Sequence, residues 1–437
     1  MILGFYGDDF TGSTDALEQV ALAGLRARLF MRLPDQEALD ECRGFDAVGI
    51  AGVSRSLAAE AMEEELRPAF AVLRKLSPQL IHYKVCSTFD SSPATGSIGK
   101  ALDIGADVFP NAWIPILVGA PGLGRYCVFG NLFARMGIGG SGEIHRLDRH
   151  PSMSRHPVTP AKESDLRLHL AEQTGRKTGL IDVLDLDRPV PEIIRKIDSL
   201  ARKGFANILF DALHDVHIRR VGEILSAVAS KARPLFAVGS SSVERALVSS
   251  STDRNFHAAE TEKPTAPILV LCGSRSPVTT AQIRHARESG FALHALDVPR
   301  LLDTAERDNA IRMSVDGVVD LITKGKNVIL HTDALSEAVS GAQDTARVLG
   351  TALGTCADAV LRNAQTGRVV MAGGDTSGYA ARALGIDAVD AAAQFWPGAP
   401  LCRARSTNPH VHESEVIFKG GQVGNDHFFS LAAGVDP

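Results

Sequence analysis

The chain has 437 residues, of which 45% are hydrophobic, 22% are charged and 5% are aromatic, and its net charge is −5. This length exceeds what one hydrophobic core usually organises, so two domains are expected, and the composition excludes disordered, collagen-like and coiled-coil proteins. Its acidic balance and few aromatics argue against a nucleic-acid partner. No apolar run reaches roughly 18 residues and Asp8 and Asp9 interrupt the apolar start, so we expect neither membrane association nor a signal peptide. Six dispersed cysteines without a Cys-x-x-Cys pair favour the cytoplasm.

Strand-length apolar segments alternate with segments of helical periodicity from the start of the chain, a pattern typical of βα units around a parallel sheet. The predicted strands of the first half are Ile2–Gly7, Ala47–Val53, Leu80–Val85, Ile114–Gly119, Gly179–Val183, Asn207–Asp211 and Leu235–Gly239. The predicted helices include Ala58–Leu76, Ser164–Gln173 and Pro191–Ala201.

A polar, aperiodic stretch over residues 251–264 predicts a linker between domains at 1–250 and 265–437. A second βα series follows it, with strands predicted at Pro267–Cys272, Ala292–Leu296, Asn327–His331 and Arg368–Ala372 and a long helix at Thr345–Ala364. The fold class is therefore α/β, with two domains built on mainly parallel sheets.

Two adjacent acids, Asp8 and Asp9, follow the first predicted strand, and Thr11 lies where a helix begins. Ligands of open α/β sheets bind outside the carboxyl ends of the strands, where these carboxylates can accept hydrogen bonds from substrate hydroxyls or take a proton. The alternative is helix capping by Asp9 or Thr11, which explains one acid more readily than two.

The segment from Lys84 to Asp90 leaves another strand and combines a cation, hydroxyls and a carboxylate, a mixture suited to a small polyhydroxylated anion. Arg55, after a third strand, can add a bidentate carboxylate clamp. The alternative is an ordinary polar loop in which Asp90 and Ser91 form local turns. Cys86 is interpreted as a small buried side chain, because no clear base accompanies it.

Two glycine-containing turns in the second half, Gly273–Pro277 and Gly373–Gly378, each join a strand to a helix. Glycines allow a phosphate to approach the backbone, amide groups at a helix start bind it, and Asp375 can hold Mg²⁺, so the pair predicts a nucleotide-phosphate site. The alternative is two ordinary strand-to-helix turns.

Three other patterns fail to match known sites. The segment Gly96–Ala101 lacks the spacing of a P-loop, and Gly137–Gly142 has dinucleotide-fingerprint spacing without the strand and helix around it, which favours a flexible loop and makes an NAD-dependent oxidoreductase remote. A third group has no zinc spacing and is interleaved with arginines, which favours a basic loop facing an anion. Its members are His145, Asp148, His150 and His156.

Across essentially the whole chain, the order of these motifs resembles the four-carbon acid sugar kinase family. The motifs that carry the resemblance are Gly7–Asp15, Ser54–Ser56, Lys84–Ser91, His156–Pro160, Gly273–Ser276, Gly373–Gly378 and Lys419–Gly421. The resemblance implies an N-terminal domain that binds a sugar acid, a C-terminal domain that binds ATP, and phosphoryl transfer to a terminal hydroxyl in a cleft between them, assisted by Mg²⁺.

The family pattern also implies site residues. Those on the substrate side are Asp8, Asp9, Thr11, Arg55, Lys84, Ser87, Thr88 and Asp90, with Asp9 or Asp8 as the base. Those on the nucleotide side are Ser274, Gly373, Gly374, Asp375, Thr376 and Gly421, with Asp375 also as the metal ligand.

Three departures from the family leave the substrate open. Asp375 stands where glutamate is common, Ser97 replaces a usual asparagine, and Gly119–Pro160 is longer than usual. A larger anionic substrate is therefore one interpretation, and a catalytically silent sensor of sugar acid or nucleotide is the alternative function. The sequence leaves homo-oligomerisation open.

Overall fold

The computed structural model describes residues 1–136, 142–229, 233–249, 262–274, 276–332 and 342–435, without the side chains of 342–344 and 375. Its strands are β1 Leu3–Gly7, β2 Ala27–Phe30, β3 Ala47–Ala51, β4 Leu80–Lys84, β5 Ile114–Leu117, β6 Arg125–Val128, β7 Asn131–Arg135, β8 Ile144–Arg146, β9 Lys177–Ile181, β10 Phe205–Phe210, β11 Leu235–Gly239, β12 Ile268–Cys272, β13 Ala292–Ala295, β14 Val328–His331, β15 Arg368–Ala372, β16 Ala388–Trp396, β17 Ala399–Arg405 and β18 Glu415–Lys419. Its helices are α1 Phe10–Leu22, α2 Gln36–Asp40, α3 Met62–Lys75, α4 Ile98–Val108, α5 Leu166–Ala171, α6 Val183–Leu186, α7 Val190–Arg202, α8 Asp215–Val228, α9 Ser242–Ser249, α10 Pro277–Glu288, α11 Val298–Leu302, α12 Arg307–Thr323, α13 Ala342–Asn363, α14 Asp375–Leu384 and α15 Phe428–Ala432.

The chain divides into two compact units, one of residues 1–27 and 33–256 and the other of residues 28–32 and 257–437. We call them the first and second units. Alternating strands and helices with mainly parallel pairing confirm the α/β class that the sequence predicts. No helix within the described ranges has the length and apolar character needed to cross a membrane.

The first unit is built on a parallel sheet in the order β3-β1-β4-β11-β5-β10-β9. Its core includes the stacked rings of Tyr6 and Tyr83, whose centroids are 6.0 Å apart, and Phe70, which meets both rings edge-on. Because β1 lies between β3 and β4, the residues that follow these three strands leave the sheet side by side. This adjacency creates the first part of the candidate site.

A small antiparallel sheet, β6-β7-β8, occupies much of the segment 119–160. The buried carboxylate of Asp211 holds its first turn by accepting from the backbone amides of Phe129, at 2.6 Å, and Gly130, at 3.0 Å. Residues 137–141, which include nearly all of the stretch interpreted as a flexible loop, lie outside the described residues.

The second unit has parallel strands in the order β13-β14-β12-β15-β18, extended by antiparallel β17 and β16. Residues 28–30 of β2 pair antiparallel with Ala388–Asp390 of β16. Arg28 fixes this pairing through an ion pair with Asp390, whose carboxylate also pairs with Arg405. A strand from the N-terminal region is therefore part of the second unit.

Candidate functional site

The carboxyl ends of β1, β3 and β4 bring three charged segments together in the first unit. In the parallel register Gly7 pairs with both Ala51 and Lys84, so Asp8 emerges beside the turn that carries Arg55. Backbone hydrogen bonds also join the three segments. The amide of Asp8 donates to the carbonyl of Lys84 at 2.9 Å, and the amide of Arg55 donates to the carbonyl of Asp8 at 2.9 Å.

Arg55 holds both acids of the Asp8–Asp9 pair. Its Nε and Nη2 donate to the two carboxylate oxygens of Asp8 at 3.0 and 2.6 Å, and its Nη1 donates to Oδ2 of Asp9 at 2.5 Å. The side chain of Asp8 is only 3% exposed, whereas that of Asp9 is 18% exposed and that of Arg55 is 25% exposed. Asp9 is therefore the acid of this pair with more access to a ligand.

Burial raises the pKa of Asp8 to about 6, with the neighbouring charge of Asp9 adding to the rise and Arg55 opposing it. The two carboxylates keep the pKa of Arg55 well above its ordinary value although burial works in the opposite direction. The pair therefore retains a fixed positive charge next to a carboxylate that titrates close to neutral pH.

The Lys84 ammonium joins this cluster from β4. Its Nζ lies 3.3 Å from Oδ2 of Asp15 and donates to the carbonyl of Val85 at 3.1 Å, and the residue is 2% exposed. Burial acts to lower the pKa of Lys84, but the charges of Asp15 and Asp8 outweigh it and raise that pKa. Lys84 is therefore a stable cation at the sheet edge.

The capping alternative for Asp9 is confirmed. Asp9 is the N-cap of α1, and its Oδ1 accepts from the amide of Gly12 at 2.6 Å. Gly12 is required there, because a Cβ atom would lie 2.7 Å from Oδ1 of Asp9 and 3.2 Å from Nζ of Lys84. Capping thus orients Asp9 and leaves space for the lysine, and it does not exclude a second role.

The loop after β4 leads from this cluster into a small cavity. Thr88 and Asp90 line the cavity, and the hydroxyl of Thr88 lies 2.9 Å from the thiol of Cys86. Burial raises the pKa of Cys86, with Asp90 adding to the rise and Arg55 opposing it, so the thiol lies within the influence of both groups. Cys86 is half-buried, so its interpretation as a buried side chain is only partly confirmed.

The far wall of the cavity comes from a region to which the sequence analysis assigned no site residues. Its lining side chains from this region are Leu147, Thr159, Ala161, Glu163, Leu166 and His169. His169 is held by Ser91, whose hydroxyl lies 2.8 Å from its Nε2, and burial lowers the pKa of the imidazole. Oδ1 of Asp90 is buried and has no hydrogen-bond partner among the described residues. A buried acceptor beside the cavity can accept a hydrogen bond from a ligand hydroxyl.

Two residues that are predicted to bind the substrate make none of these contacts. Thr11 is exposed on the first turn of α1, where its carbonyl accepts from the hydroxyl of Thr14 at 3.0 Å. Ser87 is half-buried between the charged cluster and the cavity residues. Their assignment as substrate ligands remains a prediction.

The second unit brings its glycine-containing loops together at the ends of β12, β15 and β18, where Ala372 pairs with both Cys272 and Lys419. The carbonyl of Gly421 accepts from the hydroxyls of Ser276 and Thr279, the latter at 2.9 Å. The Thr279 hydroxyl also lies 3.2 Å from Oγ of Ser274. The loops that contain Ser274 and Gly421 are therefore locked to each other.

Glycine is required where these loops approach one another. A Cβ atom on Gly373 would lie 2.3 Å from Oγ1 of Thr376, and one on Gly421 would lie 2.7 Å from Oγ of Ser274. Gly374 precedes α14 as its N-cap and is exposed, so the amides of this helix start are available to a ligand. The side chain of Asp375 lies outside the description, so its role as a metal ligand stays a prediction.

Several residues that complete these clusters were given no role from the sequence, although Asp15 and Lys419 lie within the motifs of the family resemblance. Lys419 and Thr279 are buried beneath the loops of the second unit, and Asp15 pairs with Lys84 in the first. A signal was present in each case, because Lys419 directly precedes Gly420–Gly421 and Asp15 lies one helical turn after Thr11.

Family models match both units. A sugar-binding N-terminal domain matches residues 3–247 and a nucleotide-binding C-terminal domain matches residues 269–429. These matches define a protein that joins a sugar-binding domain to a nucleotide-binding domain, in the order that the sequence predicts.

Characterised relatives cover nearly the whole chain. The 3-oxo-isoapionate kinase of Paraburkholderia graminis is 40% identical, over 99% of this chain and 94% of its own length. The 3-oxo-tetronate kinase of Pectobacterium atrosepticum is 27% identical, over 98% of both chains. The chain belongs to the four-carbon acid sugar kinase family, as its motifs predict, and these relatives give no support to a non-catalytic sensor.

Two solved structures share the fold. A putative tRNA synthase from Salmonella typhimurium LT2 superposes with a TM-score of 0.81 at 23% identity, over 98% of both chains. A Haemophilus influenzae protein of the family DUF1537 superposes with a TM-score of 0.74 at 22% identity, over 99% of both chains. At these identities the similarity establishes the fold alone.

Proposed function

We propose that this protein transfers the γ-phosphoryl group of ATP to a terminal hydroxyl of a small 3-oxo sugar acid, of the type named for its 3-oxo-isoapionate kinase relative. The observation that carries the proposal is the cluster in which Arg55 holds Asp8 and Asp9 beside the buried Lys84. It combines fixed cations, which attract a sugar-acid carboxylate, with carboxylates that accept hydrogen bonds from its hydroxyls.

The cavity beside Asp90 supplies the rest of the acid-sugar site. Its lining combines hydroxyls, a carboxylate and an imidazole, the kinds of polar group that position the hydroxyls of a short sugar acid. The buried Oδ1 of Asp90 accepts from a substrate hydroxyl, and Thr88 and Thr159 contribute hydroxyls. Because Leu147 and Thr159 come from the lengthened segment 119–160, that segment helps to select the acid.

Asp9 is the proposed base. It takes the proton of the acceptor hydroxyl as the new bond from that oxygen to the γ-phosphorus forms and the bond to the β–γ bridging oxygen breaks, which releases ADP. Asp8 holds Arg55 with both carboxylate oxygens, and so keeps the guanidinium in place beside Asp9. The expectation that the reaction takes place in a cleft between the domains stays a prediction.

The nucleotide belongs to the second unit in this proposal. Gly373 and Gly421 allow the loops after β15 and β18 to pack closely against Thr376 and against Ser274 on the loop after β12, and Gly374 lies beside them at the start of α14. Exposed amides at the start of α14 suit phosphate oxygens. When Mg²⁺ is bound with ATP it neutralises phosphate charge, and Asp375 is the residue proposed to hold it.

Turnover with defined acceptors tests the function. Purified protein is incubated with ATP, Mg²⁺ and a panel of four- to six-carbon aldonates and 3-oxo aldonates, and acid-dependent ADP release is followed. We expect the highest kcat/KM with a 3-oxo acid. ATP consumption that no acid on the panel stimulates would contradict the proposed function.

The pH dependence of kcat/KM should reflect the ionisation of Asp8. Because its carboxylate must be ionised to hold Arg55 with two oxygens, kcat/KM is expected to fall about tenfold per pH unit below its pKa of about 6. In Asp8→Asn this acid limb should move to lower pH. Asp8 affects the free energy of unfolding in the opposite direction. Because folding raises its pKa, the stabilisation that Asp8 contributes is fully present below pH 3.8 and is lost as the pH rises through about 6. An unchanged acid limb in Asp8→Asn would exclude this assignment.

A further inference from the structure

The second unit buries a lysine at the ligand-binding edge of its sheet. Lys419, the last residue of β18, is 1% exposed. Its Nζ donates to Oγ1 of Thr279 at 3.1 Å and to the carbonyl of Gly420 at 3.0 Å. Both acceptors are neutral, and no carboxylate of the described residues forms an ion pair with this ammonium.

A second buried cation of the same unit has the protein partners expected of a charge with a purely structural role. Arg368, the first residue of β15, pairs with Glu415 at 2.6 Å and donates to the carbonyl of Ala432 at 2.8 Å. Arg368 lies at the amino end of its strand, whereas Lys419 lies at the carboxyl end of the neighbouring strand. Of these two cations, only Lys419 lacks an anionic partner among the described side chains.

Burying an ammonium without a counter-ion costs free energy, and this cost lowers the pKa of the group. Burial lowers the pKa of Lys419 to about 8, and the Cys272 thiol on β12 is the titratable group that opposes this effect. The aromatic rings of Phe428 and Phe429, whose centroids lie 5.8 and 5.9 Å from Nζ, and the hydroxyl of Thr279 are the other groups that face it. An anion bound nearby would offset the cost.

We propose that Lys419 supplies the positive charge that binds the phosphate chain of the nucleotide in the second unit. Thr279, which accepts from Lys419, also contacts Ser274 and the carbonyl of Gly421, so the ammonium lies directly beneath the two loops that form the phosphate surface. This inference rests on the proposed function, since it assigns a residue to the same nucleotide site.

Nucleotide affinity of Lys419→Met tests the assignment. Loss of one charge-assisted contact should weaken the binding of ADP and of a non-hydrolysable ATP analogue by about 10- to 100-fold. Adenosine, which has no phosphate, should bind with unchanged affinity. Equal weakening of adenosine and ADP would show a structural role and overturn the proposal, as would wild-type ADP affinity in the variant.

Arg368→Met is the matched control, because it removes a buried cation that has a protein partner. It should unfold at a clearly lower temperature than the wild type and bind ADP with wild-type affinity at a temperature where it is folded. Lys419→Met should lose less stability, because it removes a charge that has no counter-ion among the described residues. Lys419→Gln provides a second neutral variant if the methionine variant does not fold.

Proton uptake provides a readout in the wild type. Because a phosphate anion raises the pKa of a lysine, ADP binding at pH 8.5 should take up protons, seen as a calorimetric enthalpy that depends on the ionisation enthalpy of the buffer. ADP phosphates are fully ionised at this pH, so the uptake belongs to the protein. No uptake in the wild type, or equal uptake in Lys419→Gln, would overturn the proposal. Failure of the proposed function is distinguishable, since a protein that binds ADP normally but phosphorylates no acid would still pass this test.

Discussion

Asp9→Asn is expected to lower kcat by about 10²- to 10⁴-fold, the usual contribution of a positioned base. Asparagine has the same shape and still accepts from the amide of Gly12, so α1 keeps its cap, while loss of the contact between Oδ2 and Arg55 should lower the free energy of unfolding by about 1–3 kcal/mol. It has no proton affinity comparable to a carboxylate, so the acceptor hydroxyl keeps its proton. Steady-state kinetics at saturating ATP and acid, together with urea unfolding, measure both effects.

Asp35→Asn is the matched control for this substitution. Asp35 caps α2 by accepting from the amide of Ala38 at 2.9 Å, the same contact that Asp9 makes in α1, but at an exposed position away from the charged cluster. It should retain full activity. A kcat of Asp9→Asn within tenfold of the wild type would move the role of base to Asp8 or to solvent.

Arg55→Met should destabilise the protein by about 3–5 kcal/mol and abolish turnover. The substitution leaves the carboxylate of Asp8, only 3% exposed, without its bidentate partner, and an unpaired buried charge carries a penalty of this size. Turnover disappears because the substrate side loses its best-positioned cation and Asp9 loses the contact that orients it. Urea unfolding at pH 7 measures the stability, and acid-dependent ADP release measures the activity.

A double variant separates the two effects. Adding Asp8→Asn to Arg55→Met removes the unpaired charge, so part of the lost stability should return while activity stays absent. Arg43→Met, which removes an exposed arginine paired with Asp40, should leave both stability and activity nearly unchanged. A stable Arg55→Met protein would mean that the Asp8 carboxylate finds another partner.

The parallel sheets could be predicted from the sequence because their strands are short, continuous apolar segments. Leu235–Gly239 and Arg368–Ala372 coincide with the observed strands, and the other predicted strands differ by one or two residues at their ends. Predicted helices deviate more, since Ala58–Leu76 is observed as Met62–Lys75. The first residues of that segment instead form a bridge and a turn, since Ala58 pairs with Thr95 and the amide of Ala59 donates to the carbonyl of Ala94.

The antiparallel additions were not predicted. Four of the nine residues of β16 are alanines, and β17 contains Pro400 and two arginines, so both give little strand signal, although Pro397-Gly398 between them is a turn signal. The sheet β6-β7-β8 depends on Asp211, a residue more than 70 positions after the turn it holds. Local sequence patterns carry no information about such a distant contact.

The charged part of the site was predictable for a physical reason: parallel strands deliver their following residues to one edge, so Asp8, Arg55 and Lys84 had to meet. The cavity wall was harder to foresee, because Thr159 and Glu163 come from a segment without regular strands or long helices. Lys419 lies in a motif of the family resemblance but was given no role of its own, because a lysine at a strand end is usually solvated and only its burial distinguishes it.

The pairing of Arg28–Phe30 with β16 means that the nucleotide-binding part of the gene is not one continuous stretch. A chimaera that exchanged only the segment matched by the C-terminal family model would replace Asp390 but keep the arginine that neutralises it. A segment expressed alone would expose the Ala388–Asp390 edge to any strand in solution. Recombination between relatives of this family therefore has to transfer residues 28–32 together with the C-terminal half.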